Sequence, residues 1–297
     1  VLRSPVALLT LAFALLLAAC GSAPATQPTA PAAPTDAPAP TTAPTGAPTA
    51  APTTVAREAT LNVFAAASLT EAFEEIATAF EAANPGVDVV YNFAGSQQLV
   101  AQIGEGAPAD VFASANRSQM EAAIKSTRVV SGTQQTFVRN RLVVITPADN
   151  PGQIATLADL TKPGLRIILA DKAVPVGQYS LDFLAKASAL PAYTESYSPT
   201  VLANVVSYED NVRSVLTKVA LGEGDAGIVY TTDAALDADN VAQIAIPDEL
   251  NTIASYPIAP LADSPNAELA QAFIDYVRSP AGQQVLVKFG FISASGS

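Results

Sequence analysis

From Leu61 to Lys288 the chain alternates short apolar runs with stretches of helical periodicity. Residues 61–67 form an apolar strand. Leu69, Phe73, Ile76, Ala77 and Phe80 then repeat along one face of a helix predicted over 68–83, and Asn84-Pro85-Gly86 stops it. Strands are expected at 87–93 and 111–114, with helices at 96–103 and 118–125. This β-α-β-α-β-α series, with strands too apolar to face water on either side, predicts a mainly parallel sheet covered on both faces.

A second series follows. Strands are expected at 142–145, 165–170, 226–230 and 241–246, and helices at 177–189 and 211–221. Residues 255–261 read as a return crossing, and helices at 267–278 and 281–288 finish the chain. The fold class is therefore α/β with two lobes and a hinge between them. Residues 58–140 plus 249–297 make the first lobe, and 141–248 the second. In open sheets of this kind ligands sit beyond the C-terminal ends of the strands, where the next helices begin.

The first 57 residues carry none of this patterning. Residues 1–19 hold one basic residue, Arg3, and an apolar run too short to span a bilayer, as in a signal peptide. Leu17-Ala18-Ala19-Cys20 resembles a bacterial lipobox, which makes Cys20 the expected lipidation site. From residue 23 to about 55 the chain is nearly all Ala, Pro and Thr, so residues 20–57 are expected to be the lipidated cysteine and an extended, disordered tether. The expectation is an extracytoplasmic domain held at the outer face of the cell membrane by a lipid anchor.

Composition narrows the chemistry. The formal net charge of −12 argues against nucleic acid as a partner. The absence of histidine excludes Ser-His-Asp catalysis and His-ligated zinc, and the single cysteine leaves no thiolate cluster. Neither a metal held directly by the protein nor a cofactor is expected.

One glycine motif misleads. Gly222-Glu223-Gly224-Asp225-Ala226-Gly227 fits the dinucleotide-binding pattern, but here the helix precedes it and the strand follows, the reverse of the required order.

The candidate chemistry lies at strand-to-helix corners. Ser68 and Ser96 end neighbouring strands at helix starts, and Gly95 lets backbone approach a ligand closely. Taken singly, each serine reads as a helix cap before an anion ligand, Ser68 through a Ser-x-x-Glu box with Glu71; taken together at matching corners, the two readings stand level. In the second lobe, Val176 and Gly177 expose amides at a helix opened by Pro175, and Val212 lies in the first turn after Glu209-Asp210-Asn211. Tyr230, at a strand end, is either a core aromatic or a neutral donor facing the crevice. These donors are hydroxyls and amides, which suits a fully ionised oxyanion and suits an enzyme poorly.

Six segments carry a resemblance in order: AAASLTEAFEEIATAFEAANPGVDV, NFAGSQQLVAQIGEGAPADVFASA, NRLVVITPADNP, VPVGQYSLDFL, GDAGIVYTTDA and SPAGQQVLVKFGF. Together they resemble the periplasmic molybdate-binding proteins of ABC importers. The resemblance implies a type II periplasmic-binding fold that closes on a tetrahedral oxyanion, molybdate or tungstate, and passes it to an ABC permease. It implies ligand contacts from Ser68, Ser96, the amides of Val176 and Val212, and Tyr230. Val176 replaces an alanine common there. A related subgroup adds carboxylate ligands to the metal, which makes Glu209 an additional candidate. A monomer is expected. The competing readings are a receptor for sulfate or another oxyanion, and a serine-dependent surface hydrolase.

Overall fold

The computed structural model describes residues 58–294, so the expected signal segment, Cys20 and the whole tether lie outside the described residues. In chain order the strands are β1 (Ala59–Ala66), β2 (Val87–Ala94), β3 (Val111–Ala113), β4 (Gln135–Asn140), β5 (Leu142–Pro147), β6 (Ile167–Ala170), β7 (Val205–Glu209), β8 (Ala226–Tyr230), β9 (Val241–Ala245), β10 (Ala254–Pro260) and β11 (Ile292–Ser293). The helices are α1 (Thr70–Ala83), α2 (Ser96–Gly104), α3 (Arg117–Lys125), α4 (Pro175–Ser188), α5 (Tyr197–Ala203), α6 (Val212–Ala220), α7 (Thr231–Leu236), α8 (Ala267–Arg278) and α9 (Pro280–Lys288).

The strands form two sheets, ordered β11-β4-β10-β3-β1-β2 and β7-β6-β8-β5-β9. The two-lobed α/β architecture is as expected, but both sheets are mixed rather than mainly parallel. Parallel pairing is confined to β2-β1-β3 and β7-β6-β8. The strand β10, arriving from the second sheet, slots antiparallel between β3 and β4, and β5 runs antiparallel to both of its neighbours. A strand that re-enters from another lobe needs no crossover helix, so nothing forces it to run parallel.

Both faces of the first sheet are buried. Along β1, Leu61, Val63 and Ala65 join a cluster with Phe73, Phe80 and Phe273 of α1 and α8, while Phe64 points the other way to Leu99, Ile103 and Met120 of α2 and α3. This period-two division explains the continuous apolar run.

The chain passes between the sheets twice, at Asn140-Arg141-Leu142 and between β9 and β10. The side chain of Asn251 joins the two passages: its Oδ1 accepts from the Leu142 N–H at 3.1 Å and its Nδ2 donates to the Leu142 carbonyl at 2.9 Å. Among the described residues, no helix is long and apolar enough to cross a membrane.

Candidate functional site

Register places the first two serines. Ala66 of β1 pairs with Ala94 of β2 in parallel, so Ser68 and Ser96, each two residues beyond, leave the same sheet edge side by side. The neighbouring β3 ends at Ala113, beside Ala65, and Ala115 follows it to the same edge. In the second sheet β7, β6 and β8 run parallel, so the starts of α6, α4 and α7 gather at one edge in the same way.

These two edges flank one small cavity, about 220 Å³ of space with its open mouth included. Its walls contain all of Ser68, Ser96, Val176, Val212 and Tyr230, together with Gly95, Ala115, Pro175 and Asn211, and no charged side chain. The five expected positions thus meet at one place.

Neither serine caps a helix. Ser68 lies in a 3-10 turn before α1, whose N-cap residue is Leu69, and its hydroxyl meets the Tyr256 phenol at 3.0 Å. Glu71, the other half of the supposed capping box, binds Arg213 instead through two bonds of 2.9 and 2.6 Å. At the second corner Gly95 is the cap residue, with its N–H bonded to Gln98 Oε1 at 3.0 Å. Ser96 Oγ accepts the N–H of Ala115 at 3.1 Å, which leaves its own proton unspent. Both serines are at least 97% buried.

The second edge supplies backbone. Val176 and Val212 occupy the opening positions of α4 and α6, where N–H groups have no acceptor within the helix. Asn211 caps α6 by accepting from the Ser214 N–H at 3.0 Å. Tyr230 is 1% exposed, lines the cavity, and its hydroxyl finds no protein hydrogen-bond partner. Burial, reinforced by the nearby Tyr256, pushes its pKa well above the ordinary phenol value, so it stays a neutral donor.

Glu209 does not belong to this cavity. Its carboxylate binds Lys218 Nζ at 2.7 Å and Ser207 Oγ at 2.5 Å, on the wall of a neighbouring cleft. An acid already neutralised by a lysine has little reason to seek a cation. Asp210 contributes to lobe contact, its carbonyl accepting from Gln97 Nε2 at 2.7 Å and its carboxylate from Gln98 Nε2 at 3.0 Å. The hydrolase reading also lacks its parts, since no general base bonds to either serine.

Two features escaped sequence reasoning. Gly95 serves the approach of the other lobe: a Cβ there would strike the Asp210 carbonyl and the Gln97 amide. Arg213 links three elements, holding Glu71 of α1 and, through Nε at 2.7 Å, the fully buried Asp233 of α7. Burial pushes the Asp233 carboxyl up to about 6 against the opposing pull of Arg213.

The chain is similar to known proteins along most of its length. Residues 61–292 match the family model described as bacterial extracellular solute-binding protein. The molybdate-binding protein ModA of Mycobacterium tuberculosis H37Rv is 38% identical over 229 residues, 77% of this chain and 83% of that protein. The ModA of Escherichia coli K12 is 33% identical over 243 residues, 80% of this chain and 90% of that one. The sulfate-binding protein SubI of M. tuberculosis superposes with a TM-score of 0.72 at 20% identity, covering 79% of this chain and 87% of that one, a likeness of fold alone. The chain belongs to the bacterial extracellular solute-binding proteins and, among them, to the ModA-like periplasmic binding proteins.

Proposed function

We propose that this substrate-binding protein captures molybdate or tungstate between its lobes and delivers it to an ABC permease. One observation carries the reading. A small cavity without any charged side chain is ringed by the unspent hydroxyls of Ser96 and Tyr230, the Ser68 hydroxyl and the opening amides of α4 and α6. Such a site favours an anion that only accepts hydrogen bonds, with its charge balanced by oriented dipoles. Molybdate and tungstate have no proton to place near neutral pH. The relatives at 38% and 33% identity, both named for molybdate, support the same ligand.

Ser68, Ser96, the amides of Val176 and Val212, and Tyr230 are the proposed contacts. The interlobe bonds to Asp210 and Glu71 form only when the lobes are together, so ligand binding and closure favour each other. Cys20 as lipid anchor and the rest of residues 20–57 as tether would hold the domain at the outer face of the cell membrane. Calorimetric titration of the domain with molybdate, tungstate and sulfate tests the assignment. Saturable heat with molybdate or tungstate, weakly displaced by sulfate, is expected. Absence of heat and of thermal stabilisation at millimolar molybdate overturns it, and preferential binding of sulfate reassigns the ligand.

A further inference from the structure

A hydroxyl helps an anion only when its proton points at it. Ser96 is held in that sense by a backbone N–H, which can only donate. Ser68 depends on a side chain, Tyr256, which does not line the cavity. The polarity of that contact follows from Asn140, a fully buried residue at the end of β4. Its Oδ1 accepts the Arg141 backbone N–H at 2.9 Å and the Thr231 hydroxyl at 3.2 Å. Its amide nitrogen therefore faces the other way, donating to Thr232 Oγ1 at 2.9 Å and lying 3.5 Å from the Tyr256 oxygen. An amide NH₂ offers no lone pair. The phenol proton cannot be placed there; the Tyr230 hydroxyl, though close by, makes no hydrogen bond, and the acceptor at bonding distance is Ser68 Oγ at 3.0 Å.

We propose that Tyr256, backed by Asn140, is a positioning residue that donates to Ser68 and so aims the serine proton into the cavity. The opposite arrangement, with Ser68 donating to the phenol and turning a lone pair toward the ligand, would leave a buried phenol proton without an acceptor. Tyr256 is 0% exposed, and burial pushes its pKa up, so the donor keeps its proton. The role is separate from packing, for which the ring has its own partners in Phe137, Tyr230 and Phe291.

The inference rests on the oxyanion reading of the cavity, and a double-mutant cycle separates the two. Tyr256→Phe keeps the ring, and Ser68→Ala removes the group through which Tyr256 acts. Affinities for molybdate, tungstate and sulfate are measured for wild type, both single variants and the double variant, with thermal midpoints alongside. Releasing the serine rotor among its three staggered positions predicts about a threefold loss for Tyr256→Phe, more where polarisation of the hydroxyl adds to it. In the Ser68→Ala background the same change should alter affinity by less than about 1.5-fold. Equal losses in both backgrounds, or no loss in wild type, overturn the positioning role and leave the oxyanion reading intact. Failure of wild type to bind any of the three overturns both. If Tyr256→Phe does not fold, Asn140→Ser, which frees the phenol from its amide neighbour, takes its place in the cycle with the same criteria.

Discussion

The two lobes furnish the cavity in different ways. The first contributes side-chain hydroxyls, Ser68 and Ser96, each oriented by a neighbour. The second contributes helix-opening amides at Val176 and Val212, plus a phenol with no protein partner. A donor made of side chain is lost with one substitution. A donor made of backbone survives almost any residue that preserves the helix start. The first lobe should therefore be sensitive to residue identity, and the second, Tyr230 apart, to conformation.

The largest effect is expected at that exception. Tyr230→Phe removes a buried donor to an ionised ligand, a bond of about 1.5–3 kcal/mol, so affinity should fall roughly tenfold to a hundredfold. The ligand-free protein should be no less stable, because nothing in the protein bonds that hydroxyl. Calorimetry and thermal melts read the two effects separately, and a stability loss without an affinity loss would place Tyr230 in the core alone.

Gly95→Ala comes next. Its methyl would meet the Asp210 carbonyl across the cleft, so the lobes should close incompletely. Scattering should show a smaller ligand-induced compaction, with affinity down about tenfold if closure loses on the order of 1.4 kcal/mol. Unchanged compaction would show that the lobes can meet another way.

Glu71→Gln should cost less. The pair with Arg213 spans the lobes and is partly exposed, with side-chain exposures of 35% and 23%, so screening limits it to about 1 kcal/mol. Affinity should fall about fivefold and become less sensitive to salt, as titrations at two ionic strengths would reveal. Substituting Glu71 rather than Arg213 leaves the buried Asp233 its partner.

The smallest change in affinity is expected from Val176→Ala, under about threefold, because the amide remains. Stability should drop, since the side chain is 1% exposed. A large affinity loss there would erase the contrast between side-chain and backbone donors.

Much of this arrangement was legible in the sequence because it is local. The apolar run of β1, the helical face of α1 and the corners at Ser68 and Ser96 each depend on residues close in the chain. So does the rejection of the glycine motif, where α6 ends just before Gly222 and β8 begins at Ala226. What stayed hidden depends on partners far away. Tyr256 meets Ser68 across 188 residues, and Arg213 meets Glu71 across 142. The edge strand β7 is not legible because Ser207 and Glu209 break its apolar run while Val206 and Tyr208 face solvent, so it lacks a buried strand's continuity. β4 is hard to read because its only apolar residues are the adjacent pair Phe137-Val138, flanked by Thr136 on one side and Arg139 and Asn140 on the other. The antiparallel share of the sheets follows from strand order, on which periodicity is silent. The Ser-x-x-Glu spacing at Ser68 misdirects for a related reason: both side chains had better partners elsewhere in the fold.

The lone hydroxyl of Tyr230 also bears on traffic. A cleft that shuts on nothing would bury that donor unsatisfied, at roughly 1–3 kcal/mol, whereas shutting on an anion satisfies it. That difference alone shifts the balance between shut and open by roughly five- to 150-fold in favour of the loaded protein. A permease that recognises the shut shape would then be engaged mainly by carriers with cargo, and empty ones would seldom compete for the same dock.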